Sequence, residues 1–179
     1  QASCNFITKE NINKILKNSS FDFDLGLLSI DIDGNDYHIL KAIDQFNPRI
    51  LICEFNNLFE MKNITVPYKA SFDRFKEHYS GNYQGCSLKA INLLAEKKGY
   101  SLVSIDKSGT NAFFLRNDLL NKKVKKININ KSYFRYGIKY NFDKNGKIII
   151  SRDFNERVNS IVGMKILNLD TNKIEQFEK

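Results

Sequence analysis

LGLLSIDIDG, residues 25–34, is an apolar run that ends abruptly in two acidic residues and a glycine. A continuous apolar run of this length suits a strand that is buried on both faces, as strands of parallel sheets are. The segment therefore predicts a central strand of an α/β sheet. Its polar end is expected at the edge of the sheet where ligands bind in open α/β folds.

A second run, RILICEFN at residues 49–56, repeats the pattern of an apolar strand followed by a polar tip. Between the two runs, Tyr37, Leu40 and Ile43 lie on successive helical turns, and the pattern stops before Pro48, which disfavours helix in the residue preceding it. A strand, a helix and a strand within about 30 residues form a βαβ unit with a right-handed crossover.

Further elements surround this unit. Residues 8–18 are predicted to form a helix capped by Thr8, and a short helix carries Phe72, Phe75 and Tyr79. Ser87 caps a predicted helix over residues 88–98. Residues 100–105 and 111–116 are predicted strands, and the five residues between them are too few for a parallel crossover. The predicted order is β-α-β-α-α-β-β, with the last strand antiparallel.

The sequence changes character after about residue 120, so we divide the chain into a main α/β domain at 1–119 and a basic extension at 120–179 that is rich in β-hairpins. Residues 135–150 alternate as a hairpin would, with Asn145-Gly146 at the turn. Residues 151–179 are compatible with another hairpin about Asp170-Thr171-Asn172 or with a partly helical segment.

The net charge of +8 suggests an anionic partner, but much of the charge is concentrated in the extension. A run of charge is usually a solvated surface, and only Tyr133, Phe134 and Tyr136 are available for base stacking. Nucleic acid is therefore not expected as a partner. No apolar run approaches the roughly 20 residues that span a bilayer, so a membrane partner is not expected. Five lysines at the start of the extension form this run: Lys122, Lys123, Lys125, Lys126 and Lys131.

The three cysteines show no CxxC spacing, and Cys53 lies inside an apolar run, where cysteine usually acts as a small buried hydrophobe. This usage argues against a disulfide framework or a zinc knuckle. It favours a reducing, cytoplasmic setting.

The candidate site residues are the polar side chains at the ends of the two predicted parallel strands. Asp31 and Asp33 end the first, and Glu54 and Asn56 end the second. Alternation along a strand places Asp31 and Asp33 on one face. An ionised carboxylate inside a sheet costs several kcal/mol unless it is paired or bound to a metal. We therefore predict Asp31, Asp33, Glu54 and Asn56 as catalytic residues.

Two chemistries fit these residues. Oxygen ligands from Asp33, Glu54 and Asn56 suit Mg²⁺ or Ca²⁺, and a carboxylate there also suits a general base or a clamp on the substrate. The simpler alternative is that Asp33 or Asn35 caps the next helix and that Gly34 only permits a tight turn. Structural roles are expected for Asn35, Asp36, His38 and His78.

The segment from Leu28 to Tyr37 resembles the Asp-x-Glu/Asp-Gly signature of FkbM-type methyltransferases. Further motifs of that family follow in order: Glu-x-Asn at residues 54–56, Val-Pro-Tyr at 66–68 and Gly-x-Ser-Leu at 85–88. Lys-Gly-Tyr-x-Leu-Val at 98–103 and Asn-Ala-Phe-Phe at 111–114 complete the set. Each motif alone is weak, but their order and spacing are specific, and the resemblance covers roughly residues 6–119.

The resemblance implies a Rossmann-like class I methyltransferase sheet, of which this chain holds strands four to seven. It implies S-adenosylmethionine as cofactor, near Asp31, Asp33 and Gly34, with methyl transfer to an oxygen of a small molecule or glycan and a possible role for Mg²⁺. Tyr68, Tyr83 and Asn111 would shape the substrate pocket from loops.

The chain departs from the family pattern because no G-x-G-x-x-G loop for the cofactor occurs in it. The family's first strand would pair with the apolar strand at 27–32, which would otherwise be an exposed edge. An upstream segment or a second chain is therefore expected to complete the sheet, and a dimer across that edge is the alternative. The competing function is a non-catalytic module of methyltransferase shape whose basic tail binds a polyanion.

Overall fold

A mixed sheet of four strands, with helices beside it and two smaller sheets, makes up the α/β fold of the computed structural model, which describes residues 3–135, 139–151 and 153–179. Short 3-10 turns occupy Asn57–Phe59 and Asn117–Leu119. In chain order the helices and strands are α1 (Ile12–Lys17), β1 (Leu27–Ile30), α2 (Asp36–Ala42), β2 (Ile50–Glu54), β3 (Ile64–Thr65), α3 (Arg74–Glu77), α4 (Leu88–Lys97), β4 (Tyr100–Ile105), β5 (Asn111–Arg116), α5 (Ile129–Ser132), β6 (Lys139–Phe142), β7 (Ile148–Ser151), α6 (Phe154–Ser160), β8 (Lys165–Asn168) and β9 (Lys173–Gln176).

The central sheet has the strand order β1-β2-β5-β4. β1 and β2 are parallel, with Leu27 opposite Ile50 and Ile30 opposite Cys53, as the βαβ pattern predicts. β5 is antiparallel to both of its neighbours, so the prediction of a reversed last strand is confirmed. The insertion of β5 between β2 and β4 is a feature that strand spacing alone did not indicate.

Helices α2 and α4 pack against one face of this sheet, where most of the main core lies. Side chains alternate along each strand, so every second residue points toward these helices. Ser87 caps α4 as predicted, because its hydroxyl accepts from the Ala90 N–H at 3.0 Å. The strand residues that join the core on this face are Ile30, Leu51, Cys53, Tyr100, Leu102, Ala112 and Phe114.

The opposite side of the sheet carries five apolar residues that belong to neither hydrophobic core, and we call it the open face. Leu27 and Ile50 are 47% and 38% exposed, and the other three are half-buried. The outer edge of β1 is also unpaired among the described residues. Sheets with parallel strands are normally covered on both faces. The open face is therefore an apolar surface that another segment or chain could cover. The open face consists of Leu27, Ile50, Ile52, Phe113 and Leu115.

A second core lies beneath the sheet β3-β8-β9 and helix α6. It takes Leu58, Phe59, Ile64, Val66 and Tyr83 from the main domain and its other buried residues from the extension. The predicted boundary at residue 119 therefore separates two segments that share one core. The buried contributions of the extension are Phe154, Val158, Ile161, Ile166 and Phe177.

The extension contains both structures that the sequence left open. β8 and β9 form a hairpin about residues 169–172, and α6 supplies the helical part. The predicted hairpin with Asn145-Gly146 at its turn is formed by β6 and β7. Tyr136 lies outside the described residues.

The first helix is shorter than predicted, because α1 begins at Ile12. Asn11 occupies its N-cap position, and Thr8 instead closes the preceding turn, where its hydroxyl accepts from the Asn11 N–H at 3.2 Å. Within the described ranges, none of the helices combines the length and apolarity needed to cross a bilayer.

Candidate functional site

Three carboxylates meet at the ends of the two parallel strands. Oxygen atoms of Asp31, Asp33 and Glu54 all lie within 4.8 Å of one another. The cause is the register of β1 against β2, which brings the residues after Ile30 beside the end of β2. The sequence analysis predicted that these acids share one edge of the sheet, and this prediction is confirmed.

The three acids differ in their contact with solvent. Asp31 and Asp33 are exposed, whereas Glu54 is only 8% exposed. Glu54 lies on the same side of the sheet as the open face, because it follows Ile50 and Ile52 at two-residue intervals. The cluster therefore joins a buried carboxylate at the sheet to two exposed carboxylates at the rim.

Arg74 is the counter-ion of this cluster, and the sequence analysis missed it. Its guanidinium forms an ion pair with the Asp33 carboxylate and donates to the Gln84 side-chain oxygen at 3.3 Å. The Gln84 amide nitrogen in turn donates to Glu54 Oε1 at 3.3 Å. The sequence carried no signal for Arg74, which lies 41 residues after Asp33 at the start of the four-residue helix α3.

Asp36 shapes the loop between β1 and α2. Its buried carboxylate accepts hydrogen bonds from the Ile32 and Gly34 N–H groups, both at 3.0 Å. Burial raises the pKa of Asp36 to about 6, against the effect of those two hydrogen bonds. The structural role expected for Asp36 is therefore observed.

The capping alternative for Asp33 and Asn35 is wrong. Asn35 occupies the N-cap position of α2, but its side chain makes no capping hydrogen bond. Its amide nitrogen donates to the Lys69 carbonyl at 2.9 Å, and Asp33 pairs with Arg74. Asp33 also has a positive φ of 54°, which is uncommon for a residue with a side chain.

Gly34 is required by a close approach to Phe72. A Cβ atom at Gly34 would lie 2.2 Å from a ring carbon of Phe72, far inside contact distance. The residue is buried, and the Phe72 ring lies next to the place where a side chain would be. Gly34 was predicted to bind the cofactor. The close packing of the Phe72 ring is by itself a sufficient reason for a glycine at this position.

A Gly34→Ala variant is expected to lose about 1–3 kcal/mol of unfolding free energy, as overpacked sites do. Gly26→Ala is the matched control, because no atom of the described residues lies within 4 Å of a Cβ placed there. Urea denaturation of both variants measures the difference. Equal losses at the two positions would show that the Phe72 contact does not constrain Gly34.

Asn56 has a structural role that competes with its predicted role as a metal ligand. Its side-chain oxygen accepts from the Leu58 N–H at 3.1 Å and begins a 3-10 turn. Its amide nitrogen donates to the carbonyls of Asn82 and Gln84, at 2.8 and 3.0 Å. Because both ends of the amide are engaged, we leave Asn56 out of the candidate metal-ligand set.

The three predicted pocket residues are not brought together. Asn111 lies directly opposite Glu54 in the sheet, and its amide nitrogen donates to Asp106 at 3.1 Å. Tyr68 instead donates to the Glu10 carboxylate. Tyr83 is buried in the second core and donates to the Lys165 carbonyl. Of the three, only Asn111 adjoins the acidic cluster through strand pairing.

The two histidines are engaged within the fold, in line with the structural roles expected of them. His38 Nε2 donates to the Val66 carbonyl at 2.9 Å, and His78 Nδ1 is 2.8 Å from the Ser80 hydroxyl oxygen. Burial lowers the pKa of both imidazoles.

The donor set fits a small divalent cation. Mg²⁺ prefers carboxylate oxygens and usually retains several waters, and Asp31, Asp33 and Glu54 offer three carboxylates with two of them open to solvent. The Arg74 guanidinium already neutralises Asp33. A cation bound here would therefore share Asp33 with Arg74 or displace that guanidinium.

The five lysines between residues 122 and 131 are exposed, as a solvated surface predicts. Lys126 pairs with Glu96 at 2.7 Å. Of the aromatic residues beside them, Tyr133 packs against the main core and donates to the Asn57 carbonyl, while Phe134 is exposed.

Comparison with models of protein families, with curated proteins and with solved structures finds no match to this chain.

Proposed function

We propose that this chain is the part of an S-adenosylmethionine-dependent O-methyltransferase that faces the methyl acceptor. The observation that carries the proposal is the meeting of Asp31, Asp33 and Glu54 at the carboxyl ends of two neighbouring parallel strands. In open α/β sheets, ligands bind beyond these strand ends. The resemblance of residues 6–119 to FkbM-type methyltransferases supplies the reaction class.

Each acid has a distinct role in this proposal. Glu54 is buried beside the sheet and acts as the base that accepts the proton of the acceptor hydroxyl. Asp31 and Asp33 would line the centre of the crevice, on the side of the cofactor that carries its methionine group. Arg74 holds Asp33 in place through their ion pair. In the alternative arrangement, Glu54 and the two aspartates would hold Mg²⁺, and the cation in place of the base would lower the pKa of the acceptor hydroxyl.

The cofactor's glycine loop would come from a segment outside these 179 residues. The outer edge of β1, which no described strand pairs with, and the apolar open face support such a segment. A strand can satisfy the backbone groups of the edge, and an amphipathic helix can cover the open face. A second copy of this chain could pair its β1 edge with the β1 edge of the first, or could stack its open face on the open face of the first. A single contact of either kind would leave the other surface uncovered, so a completing segment fits both features better.

Calorimetric titration with S-adenosylmethionine tests the proposal. The 179-residue chain is expected to bind little, whereas the protein with the completing segment present should show saturable binding. Tight binding by the short chain would contradict the division of the site between two segments. Absence of binding by the completed protein would contradict the methyltransferase assignment.

A non-catalytic binding module is the second candidate, and the exposed lysines between residues 122 and 131 favour it. A module of this kind would bind a polyanion through the extension and would bind no S-adenosylmethionine in either form. The same titration therefore separates the two functions.

A further inference from the structure

An apolar surface begins beside the acidic cluster, at Phe75 on helix α3. Phe75 directly follows Arg74, whose guanidinium pairs with Asp33 and lies 5.0 Å from the centre of the Phe75 ring. Asp73 caps α3 by accepting from the Phe75 N–H at 3.0 Å, which fixes the start of this helix. The Phe75 ring is exposed, although its centroid lies 5.3 Å from that of Phe142 on β6, in an edge-to-face contact. Exposed apolar surface therefore adjoins the cluster through Arg74.

The hairpin of β6 and β7 continues this surface. Phe142 lies opposite Ile148, and Tyr140 lies opposite Ile150. Because side chains alternate along a strand and opposed residues share a face, these four side chains lie on one face of the hairpin. Tyr140 is 75% exposed, Ile148 is 61% exposed and Ile150 is 55% exposed. Two residues along a strand span about 7 Å, so the face extends by that distance beyond Phe142. We call Phe75 and these four residues the apolar strip.

The opposite face of the hairpin attaches it to the rest of the protein. Asn141 and Ser151 are buried on that face, and both line a small cavity together with Ser160 of α6. The attachment of the hairpin therefore does not use the apolar strip. A contiguous exposed apolar patch of this kind marks a site of interaction.

The side chains of the strip indicate a hydrocarbon as the occupant. Ile148 and Ile150 present only aliphatic surface, and Tyr140 carries the single polar side-chain atom of the five residues. A sugar ring would need hydrogen-bonding partners that these side chains do not supply. The strip also begins at the acidic cluster, where the proposed reaction takes the proton of a hydroxyl. This continuity favours the apolar body of the acceptor itself over a second copy of the chain.

We infer that the methyl acceptor is an amphiphilic alcohol, with its hydroxyl at the acidic cluster and its hydrocarbon body along the apolar strip. Phe75 and Phe142 contact the hydrocarbon nearest the hydroxyl, and Tyr140 and Ile150 contact its far end. The inference rests on the proposed function for the reaction, but binding to the strip is measurable without the cofactor.

Calorimetry of the 179-residue chain with octyl, butyl and methyl glucoside tests the strip, with each probe kept below the concentration at which it forms micelles. The three probes share one head group and differ only in the length of the alkyl chain. Each buried CH₂ group should tighten binding by up to about fourfold. Octyl glucoside should therefore bind at least about tenfold more tightly than butyl glucoside, and methyl glucoside should bind most weakly.

A hairpin variant that combines Ile148→Thr with Ile150→Thr should weaken octyl glucoside binding at least about fivefold. Threonine keeps the β-branched shape that suits a strand but removes apolar surface. Ile174→Thr is the matched control, because Ile174 is 62% exposed on β9, in another sheet, and it should bind like the unchanged chain. Phe75→Ser should also weaken binding, and it decides the test if the hairpin variant does not fold.

Equal binding of the three glucosides would overturn the inference, as would a hairpin variant that binds octyl glucoside as the control does. Sedimentation gives a further check: a dimeric unchanged chain with a monomeric hairpin variant would show that a second copy covers the strip. In the completed protein, the KM for methyl transfer should fall from methyl to butyl to octyl glucoside at similar kcat. Length-dependent binding without any methyl transfer would support the hydrocarbon site and contradict the proposed function.

Discussion

Under the proposed function, a Glu54→Gln variant of the completed protein is expected to transfer methyl groups about 100 to 10,000 times more slowly than the unchanged protein, the range by which general base catalysis contributes. Glutamine keeps the size of the side chain but cannot accept the proton of the acceptor hydroxyl. Glu54 is only 8% exposed and accepts a hydrogen bond from Gln84, so its side chain is held in one position. The substitution therefore removes the negative charge with little change in the position of the side chain. The loss should appear in kcat, with binding of S-adenosylmethionine unchanged.

Glu178→Gln is the matched control for this measurement. Glu178 is exposed, and the contact recorded for it uses its backbone carbonyl, which accepts from Lys62 at 2.6 Å. The control should retain the full rate. A kcat for Glu54→Gln within about twofold of the unchanged protein would remove Glu54 from the role of base.

The second large effect is a pH dependence of stability that comes from Asp36. Burial raises its pKa in the folded protein from 3.8 to about 6. Between these values the unfolded chain releases the proton while the folded chain keeps it, so stability contributed by Asp36 falls as pH rises. At about 1.4 kcal/mol per pKa unit the full effect is about 3 kcal/mol, of which about 2.4 kcal/mol is lost between pH 4 and pH 7.

Urea denaturation of the unchanged protein and of Asp36→Asn, at several values between pH 4 and pH 7 with EDTA present, measures this effect. Asparagine does not titrate, so the stability of the unchanged protein relative to Asp36→Asn should decrease steadily over that range. Asp22→Asn, at an exposed position, should run parallel to the unchanged protein. If Asp36→Asn also runs parallel, then Asp36 titrates at its ordinary pKa in the folded state.

The candidate site was partly predictable because its three acidic residues lie at the ends of strands that the sequence pattern itself reveals. Asp31 and Asp33 follow an apolar strand directly, and Glu54 ends the next parallel strand, so the topology alone brings them to one edge. Arg74 and Gln84 were missed because they reach the cluster from loops and a four-residue helix. Tyr68 and Tyr83 were misplaced for a related reason: a loop motif gives no information about which side of the loop faces the strand ends.

The sequence by itself determined β1, β2, β4 and β5, their parallel or reversed directions and the hairpin turn at Asn145-Gly146, since these follow from side-chain periodicity, linker length and turn residues. The tertiary structure alone decided the place of β5 between β2 and β4 and the core that β3 shares with the extension. It also decided the roles of Gly34 and Asn56. These features depend on contacts between residues distant in the chain, and such contacts leave no periodic pattern in the amino-acid sequence.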